Sequence, residues 1–176
     1  MAGEALAVTR RVVIADAGPL IALARIDSLA LLHSLFGQVC TSTEVLREIL
    51  PLGAAFADQP ALEHALEQRW IDVVEVPTGN CKPLNPCIDA GEASAIQLGC
   101  QWRDQGAAVL LVMDDRAGRL EARSHGLALI GTAALIGLAR TQGLVAAARP
   151  LLEQLAQSGY FLGQAVIEAV LSDVGE

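Results

Sequence analysis

Hydrophobic and polar positions change rhythm regularly along this chain. Short runs of β-branched and aliphatic residues, such as "RVVIA" at 11–15 and "VLLVM" at 109–113, alternate with longer Ala/Leu-rich segments whose apolar positions recur at helical spacing. The first rhythm predicts strands over 11–15, 38–41, 71–76, 109–113 and 127–130. The second predicts helices over 19–25, 28–35, 43–50, 60–69, 90–103, 116–125, 132–141, 148–158 and 163–172. Local chemistry marks several ends: Pro19 suits a first helical turn, Asp89 with Glu92 has the pattern of a capping box, and Gly126 suits a helix stop. Alternation of strand and helix predicts an α/β fold, a mostly parallel sheet with helices on both faces. The turn-rich stretch "VPTGNCKPLNPC" at 76–87 reads as a surface loop within one domain, because too little chain flanks it for two separate cores.

Composition narrows the class. A chain of 176 residues with 53% hydrophobic and 18% charged positions has enough apolar surface to bury a core, which excludes a disordered segment. Its net charge of -8 excludes a protein that coats polyanions indiscriminately, since such binding draws on clustered lysine and arginine. An enzyme acting on RNA through a local basic rim remains compatible with it. Cys40, Cys81, Cys87 and Cys100 lack C-x-x-C spacing and are expected to be free thiols in a reducing cytoplasm. The start "MAGEALAVTRRVV" lacks the pattern of an export signal, and the apolar stretch from Pro19 to Phe36 is broken by Arg25, Asp27 and His33, so no membrane association is expected.

The candidate chemistry is acidic. Asp16 follows the first predicted strand and Asp114 the fourth, so both are expected at the carboxyl edge of the sheet, where ligands of open parallel sheets bind. Glu48, with Glu44 one turn before it, lies on the helix after the second strand, and Glu92 lies in the first turn of the helix opening "DAGEASAIQLG". Taken singly, each has an ordinary explanation. Asp16 and Asp115 suit helix caps, Glu92 a capping-box partner, and Glu44 and Glu48 a solvated helix face. Taken together at one edge, they would raise one another's pKa, and a divalent cation such as Mg²⁺ or Mn²⁺, which prefers oxygen ligands, would relieve the conflict. Arg116, Arg119 and Arg123 form a stripe leading away from the acids, suited either to phosphate or to solvent. Lys82 is the one lysine in the chain, and His33, His64 and His125 share no spacing.

Four blocks, "VVIADAGPLIALARI", "TSTEVLREI", "DAGEASAIQLG" and "LLVMDDRAGRLEARSHGLALIGTAALIGLARTQGL", together resemble the PIN-domain family, in a VapC-like prokaryotic branch. The resemblance implies a three-layer α/β/α fold around a five-stranded, mostly parallel sheet, with a core at 11–142 and a helical C-terminal extension at 143–176. It implies an Mg²⁺- or Mn²⁺-dependent endoribonuclease, often a toxin restrained by an antitoxin protein. The family's four catalytic acids fall on Asp16, Glu48, Glu92 and Asp114, with Asp115 able to assist Asp114. Metal ligation is expected from Asp16, Glu92, Asp114 and Asp115, and contact with the RNA strand from Arg116 and Arg119. Glu44 falls outside the motif. Members commonly carry serine or threonine just after the first aspartate, whereas Ala17 and Gly18 here offer no hydroxyl. In the extension, the stripe Val166, Ala169, Val170 is expected to cover the core or a partner, and the high apolar content suggests a homodimer or higher homo-oligomer. Two other classes fit an acid-edged sheet: a receiver-type phosphoryl-transfer domain, which needs a lysine after the last strand, and a non-catalytic binding or oligomerisation module.

Overall fold

Five strands form one all-parallel sheet in the order β3-β2-β1-β4-β5, built from β1 (Arg11–Ala15), β2 (Val39–Ser42), β3 (Ile71–Val74), β4 (Ala108–Val112) and β5 (Ala128–Ile130). The structure is a computed structural model that describes residues 10–50, 59–76 and 85–176. Parallel neighbours cannot be joined by tight turns, so helices supply the crossovers. Helices α1 (Ala17–Arg25) and α2 (Ala30–Phe36) connect β1 to β2, and α3 (Thr43–Ile49) and α4 (Gln59–Glu67) lie between β2 and β3. Helix α5 (Ala90–Asp104) precedes β4, and α6 (Arg116–Ser124) precedes β5. Three more follow: α7 (Thr132–Thr141), α8 (Arg149–Gln157) and α9 (Gln164–Asp173).

Side-chain alternation along the strands splits the core in two. Val12, Ile14, Leu111 and Met113 face α5 and α6, packing on Ile96, Leu98 and Ala122. Ala15, Val39 and Val112 face the opposite layer, where Leu20, Leu23, Leu32, Leu135, Ile136 and Leu152 bring the β1–β2 crossover helices together with the helices that follow β5. The period of two in the strands thus produces the three-layer α/β/α arrangement.

The chain runs outward from β1 through β2 to β3, then returns to the other side of β1 for β4 and β5. Its direction reverses between β1 and β4, which is the kind of switch point at whose carboxyl side open α/β sheets bind ligands. These two strands pair over their full length, with Ala15 opposite Val112. The acids expected after them therefore leave adjacent strands at the same rim.

Three expectations need adjustment. The third strand ends at Val74, short of residue 76, because its neighbour β2 ends at Ser42, the residue paired with Val74. In α9 the buried residues are Ile167, Val170 and Leu171. Val166 is exposed, so the predicted stripe through Val166 and Ala169 is rotated by about one position from the face that meets the core. Of the loop at 76–87, residues 77–84, including Cys81 and Lys82, lie outside the described residues. Among the described residues Cys40 and Cys87 are free thiols, and no single helix is long and apolar enough to cross a membrane.

Candidate active site

Asp16 stands one residue beyond β1 at the N-cap position of α1, with extended backbone. Its amide donates to the Val112 carbonyl at 3.0 Å, which extends the β1–β4 pairing to this residue. An aspartate in this position ordinarily caps the helix. Here the side chain makes no capping hydrogen bond, is only 5% exposed, and leaves Oδ1 buried without a partner. Burial first, and then the charges of Asp89, Glu48 and Asp114, push its pKa up to about 7, against the pull of the Ala17 amide.

Asp114 faces it from the end of the neighbouring strand. Its Oδ1 accepts the Thr132 amide at 2.8 Å, and its Oδ2 accepts both the Thr132 hydroxyl and the Tyr160 hydroxyl, the latter at 2.6 Å. Thr132 is available because β5 runs beside β4 and α7 starts directly after it. Gly131 allows the approach: a Cβ there would lie 2.8 Å from Asp114 Oδ1.

Glu92 and Asp89 close the floor of the site at the start of α5. Asp89 Oδ1 accepts the Glu92 amide at 2.8 Å, and Glu92 Oε2 accepts the Asp89 amide at 3.0 Å, a complete capping box. Glu92 is nevertheless buried beside Gly118, and burial, with Asp89, Asp115 and Asp16 nearby, pushes its pKa up to about 7. Its role as a cap and its place in the acid cluster coexist. Glu48 reaches the same helix end from α3: a Cβ on Gly91 would meet Glu48 Oε2 at 2.4 Å. Its carboxyl pKa is raised by partial burial and by Asp89. The buried hydroxyls of Ser42 and Ser94 sit 2.5 Å apart and tie the start of α3 to α5, fixing Glu48 relative to Glu92.

Asp16, Glu48, Glu92 and Asp114, predicted as catalytic acids, thus gather at one rim. Asp115 lies next to them, near enough to raise the Glu92 pKa, but its Oδ1 accepts the amides of Ala117 and Gly118 at 2.6 and 3.0 Å and caps α6. Glu44 pairs with Arg47 on the surface at 3.1 Å. Arg119 donates from Nη1 to the Met113 carbonyl at 2.7 Å, which holds the turn after β4, while Arg116 and Arg123 are exposed on α6. Two residues escaped the sequence reading. Asp89 was visible only as a cap, although its position three residues before Glu92 places it at the same helix end. Tyr160 comes from the segment between α8 and α9, and no local spacing could have linked it to Asp114.

Among the described residues no three acidic, histidine or cysteine side chains converge tightly enough to cage a metal ion directly. The donor set still fits a divalent cation. A buried, unpartnered carboxylate oxygen is costly, and three further acids raise that cost, so a positive charge at Asp16 Oδ1 is the missing element. Helices α1, α5 and α7 also point their N-termini at this rim, partly offsetting the clustered charge.

A family model described as a PIN domain matches residues 12–176. No curated protein and no solved structure matches the chain. PIN domains are generally nucleases and typically use divalent metals. A match over nearly the whole chain, on a parallel sheet with carboxylates at its switch point, places this protein in the PIN-domain family.

Proposed function

We propose that this PIN domain is a metal-dependent ribonuclease that hydrolyses RNA phosphodiester bonds, and that it acts as the toxin of a toxin–antitoxin pair. The observation that carries the nuclease reading is the buried, unpartnered Oδ1 of Asp16, surrounded by acids at the sheet's switch point. Asp16 would hold an Mg²⁺ or Mn²⁺ ion directly, and Asp114, Glu92 and Glu48 would do so directly or through water. Such an ion lowers the pKa of water and neutralises charge on a phosphate. The protein's own part is to position and to exclude. Thr132 and Tyr160 orient Asp114, the capping box fixes Glu92, and the apolar layers beneath Asp16 keep bulk water from solvating its inner oxygen. Arg116, exposed at the first turn of α6, is the cation best placed to meet an incoming phosphate, whereas one Arg119 nitrogen is committed to the Met113 carbonyl.

Substituting Asp16 by asparagine preserves shape and removes the charge. Cleavage of single-stranded RNA in Mn²⁺ should fall by more than about 100-fold, because even outer partners of a metal site carry about 10- to 100-fold. Circular dichroism should remain unchanged. An Asp16→Asn protein that cleaves at the wild-type rate removes the assignment. The toxin role is tested separately: expression of the protein should arrest growth, and co-expression of a cognate antitoxin should restore it.

The lack of a ready-made three-ligand cage among the described residues favours a second reading, a non-catalytic module that keeps the fold for binding or self-association. That reading predicts no Mn²⁺ uptake at the carboxylate rim. The receiver-type alternative has no support in this arrangement: α7, after the last strand, contains no lysine.

A further inference from the structure

The segment joining α8 to α9 returns to the carboxyl rim of the sheet and delivers a single polar atom there. Gly159, at φ 82°, reverses the chain directly after α8, in a backbone conformation that favours glycine. The next residue, Tyr160, donates its hydroxyl to Asp114 Oδ2 at 2.6 Å. The same hydroxyl lies 3.4 Å from where a Cβ on Gly18 would stand, so it packs against bare backbone in the first turn of α1. Tyr160 therefore contacts Asp114 and packs against the first turn of α1, two residues along the chain from Asp16.

Counting acceptor sites shows what this contact does. A carboxylate offers about four lone-pair positions. On Asp114 the Thr132 amide, the Thr132 hydroxyl and the Tyr160 hydroxyl occupy three of them. The Thr132 donors come from the β5 side of the carboxylate, and Tyr160 comes from the C-terminal extension. Donors from two separate elements fix the plane of the carboxylate as well as its direction. No residue next to Asp16 can supply the second hydroxyl, since Ala17 and Gly18 have none.

We propose that Tyr160 is a positioning residue for the nuclease: its hydroxyl, with Thr132, locks Asp114 in the orientation needed to share a divalent cation with Asp16. The C-terminal extension then completes the active site. This inference rests on the nuclease reading above and assigns part of that site to the extension.

Tyr160→Phe, made in the full chain, keeps the ring and removes only the hydroxyl. Mn²⁺ affinity by titration calorimetry and kcat on single-stranded RNA should each fall by about 10-fold, the effect typical of an outer partner of a metal ligand. KM for RNA should change less than about twofold, because Tyr160 contacts the acid and not the strand. A merely structural role would lower the unfolding temperature and leave Mn²⁺ affinity alone. Wild-type Mn²⁺ affinity and kcat in Tyr160→Phe would overturn the proposal, as would tighter Mn²⁺ binding, which would mean that the hydroxyl competes with the ion. Asp16→Asn run in parallel separates the two readings. If it loses Mn²⁺ binding while Tyr160→Phe does not, only the role of Tyr160 fails; if the wild-type protein takes up no Mn²⁺, both fail.

Discussion

Asp16 concentrates the electrostatic tension of this molecule in one side chain. Its carboxyl pKa and that of Glu92 are both pushed up to about 7, well above the values these groups have in an unfolded chain. Between about pH 4 and pH 7 the folded protein therefore retains protons that the unfolded chain has released, so stability falls as pH rises through that window and levels off above it. For buried Asp16 the penalty at neutral pH is on the order of 4 kcal/mol. Without divalent cations, the unfolding temperature should be higher at pH 5 than at pH 8. Adding Mn²⁺ should recover most of the difference at pH 8, since a bound cation stabilises the ionised acids. Asp16→Asn should flatten the metal-free profile and raise the unfolding temperature at pH 8 above that of the wild type. Thermal scans across this pH range check all three, and a wild-type protein most stable at pH 8 without metal would refute the description of the site.

At the level of elements, much was legible because the relevant signals are local. The β-branched runs gave the strands, the capping box at Asp89 and Glu92 marked the start of α5, and Gly126 marks the end of α6. The strand ends placed Asp16 and Asp114 at the carboxyl edge, but that β1 and β4 are neighbours there comes from the sheet order and not from the strand pattern. What was not legible depends on tertiary packing. Asp89 was hidden because a capping pattern already accounts for it, and Tyr160 because its partner is 46 residues away in sequence. In α9 the stripe Val166, Ala169, Val170 left core and partner open, and the face that meets the core is Ile167, Val170 and Leu171, because the period alone does not fix which of two neighbouring apolar stripes turns inward. One element-level test separates structure from function. In Gly91→Ala, the added Cβ would take the place of the Glu48 carboxylate, whose exposed side chain can swing aside cheaply. Alanine is also the better helix former by up to about 1 kcal/mol. The variant should be as stable as the wild type or slightly more so, yet cleave RNA more slowly. Loss of stability with full activity would show that Glu48 has no part in the site.

Across the whole molecule, the segment after α8 is fastened at two points. Tyr160 ties it to the acidic rim, and Glu176 ties its end to the α7–α8 junction by accepting from Arg140 Nε, the Ala148 amide and the Arg149 amide at 3.0, 2.9 and 3.0 Å. These donors hold the Glu176 carboxyl below its usual pKa, so its contribution is present at neutral pH and fades as acid protonates it. Glu176→Gln should lower the unfolding temperature at pH 7 and much less at pH 3, as thermal scans at the two pH values would register. Such tethering keeps Tyr160 in place without enlarging the sheet. The central claim, that the carboxyl rim between β1 and β4 exists to hold a divalent cation, is tested most directly by crystals grown with Mn²⁺ and examined for anomalous scattering. The account predicts a peak against Asp16 Oδ1 with Asp114 beside it. An Mn²⁺-saturated crystal with no peak at that rim would contradict it.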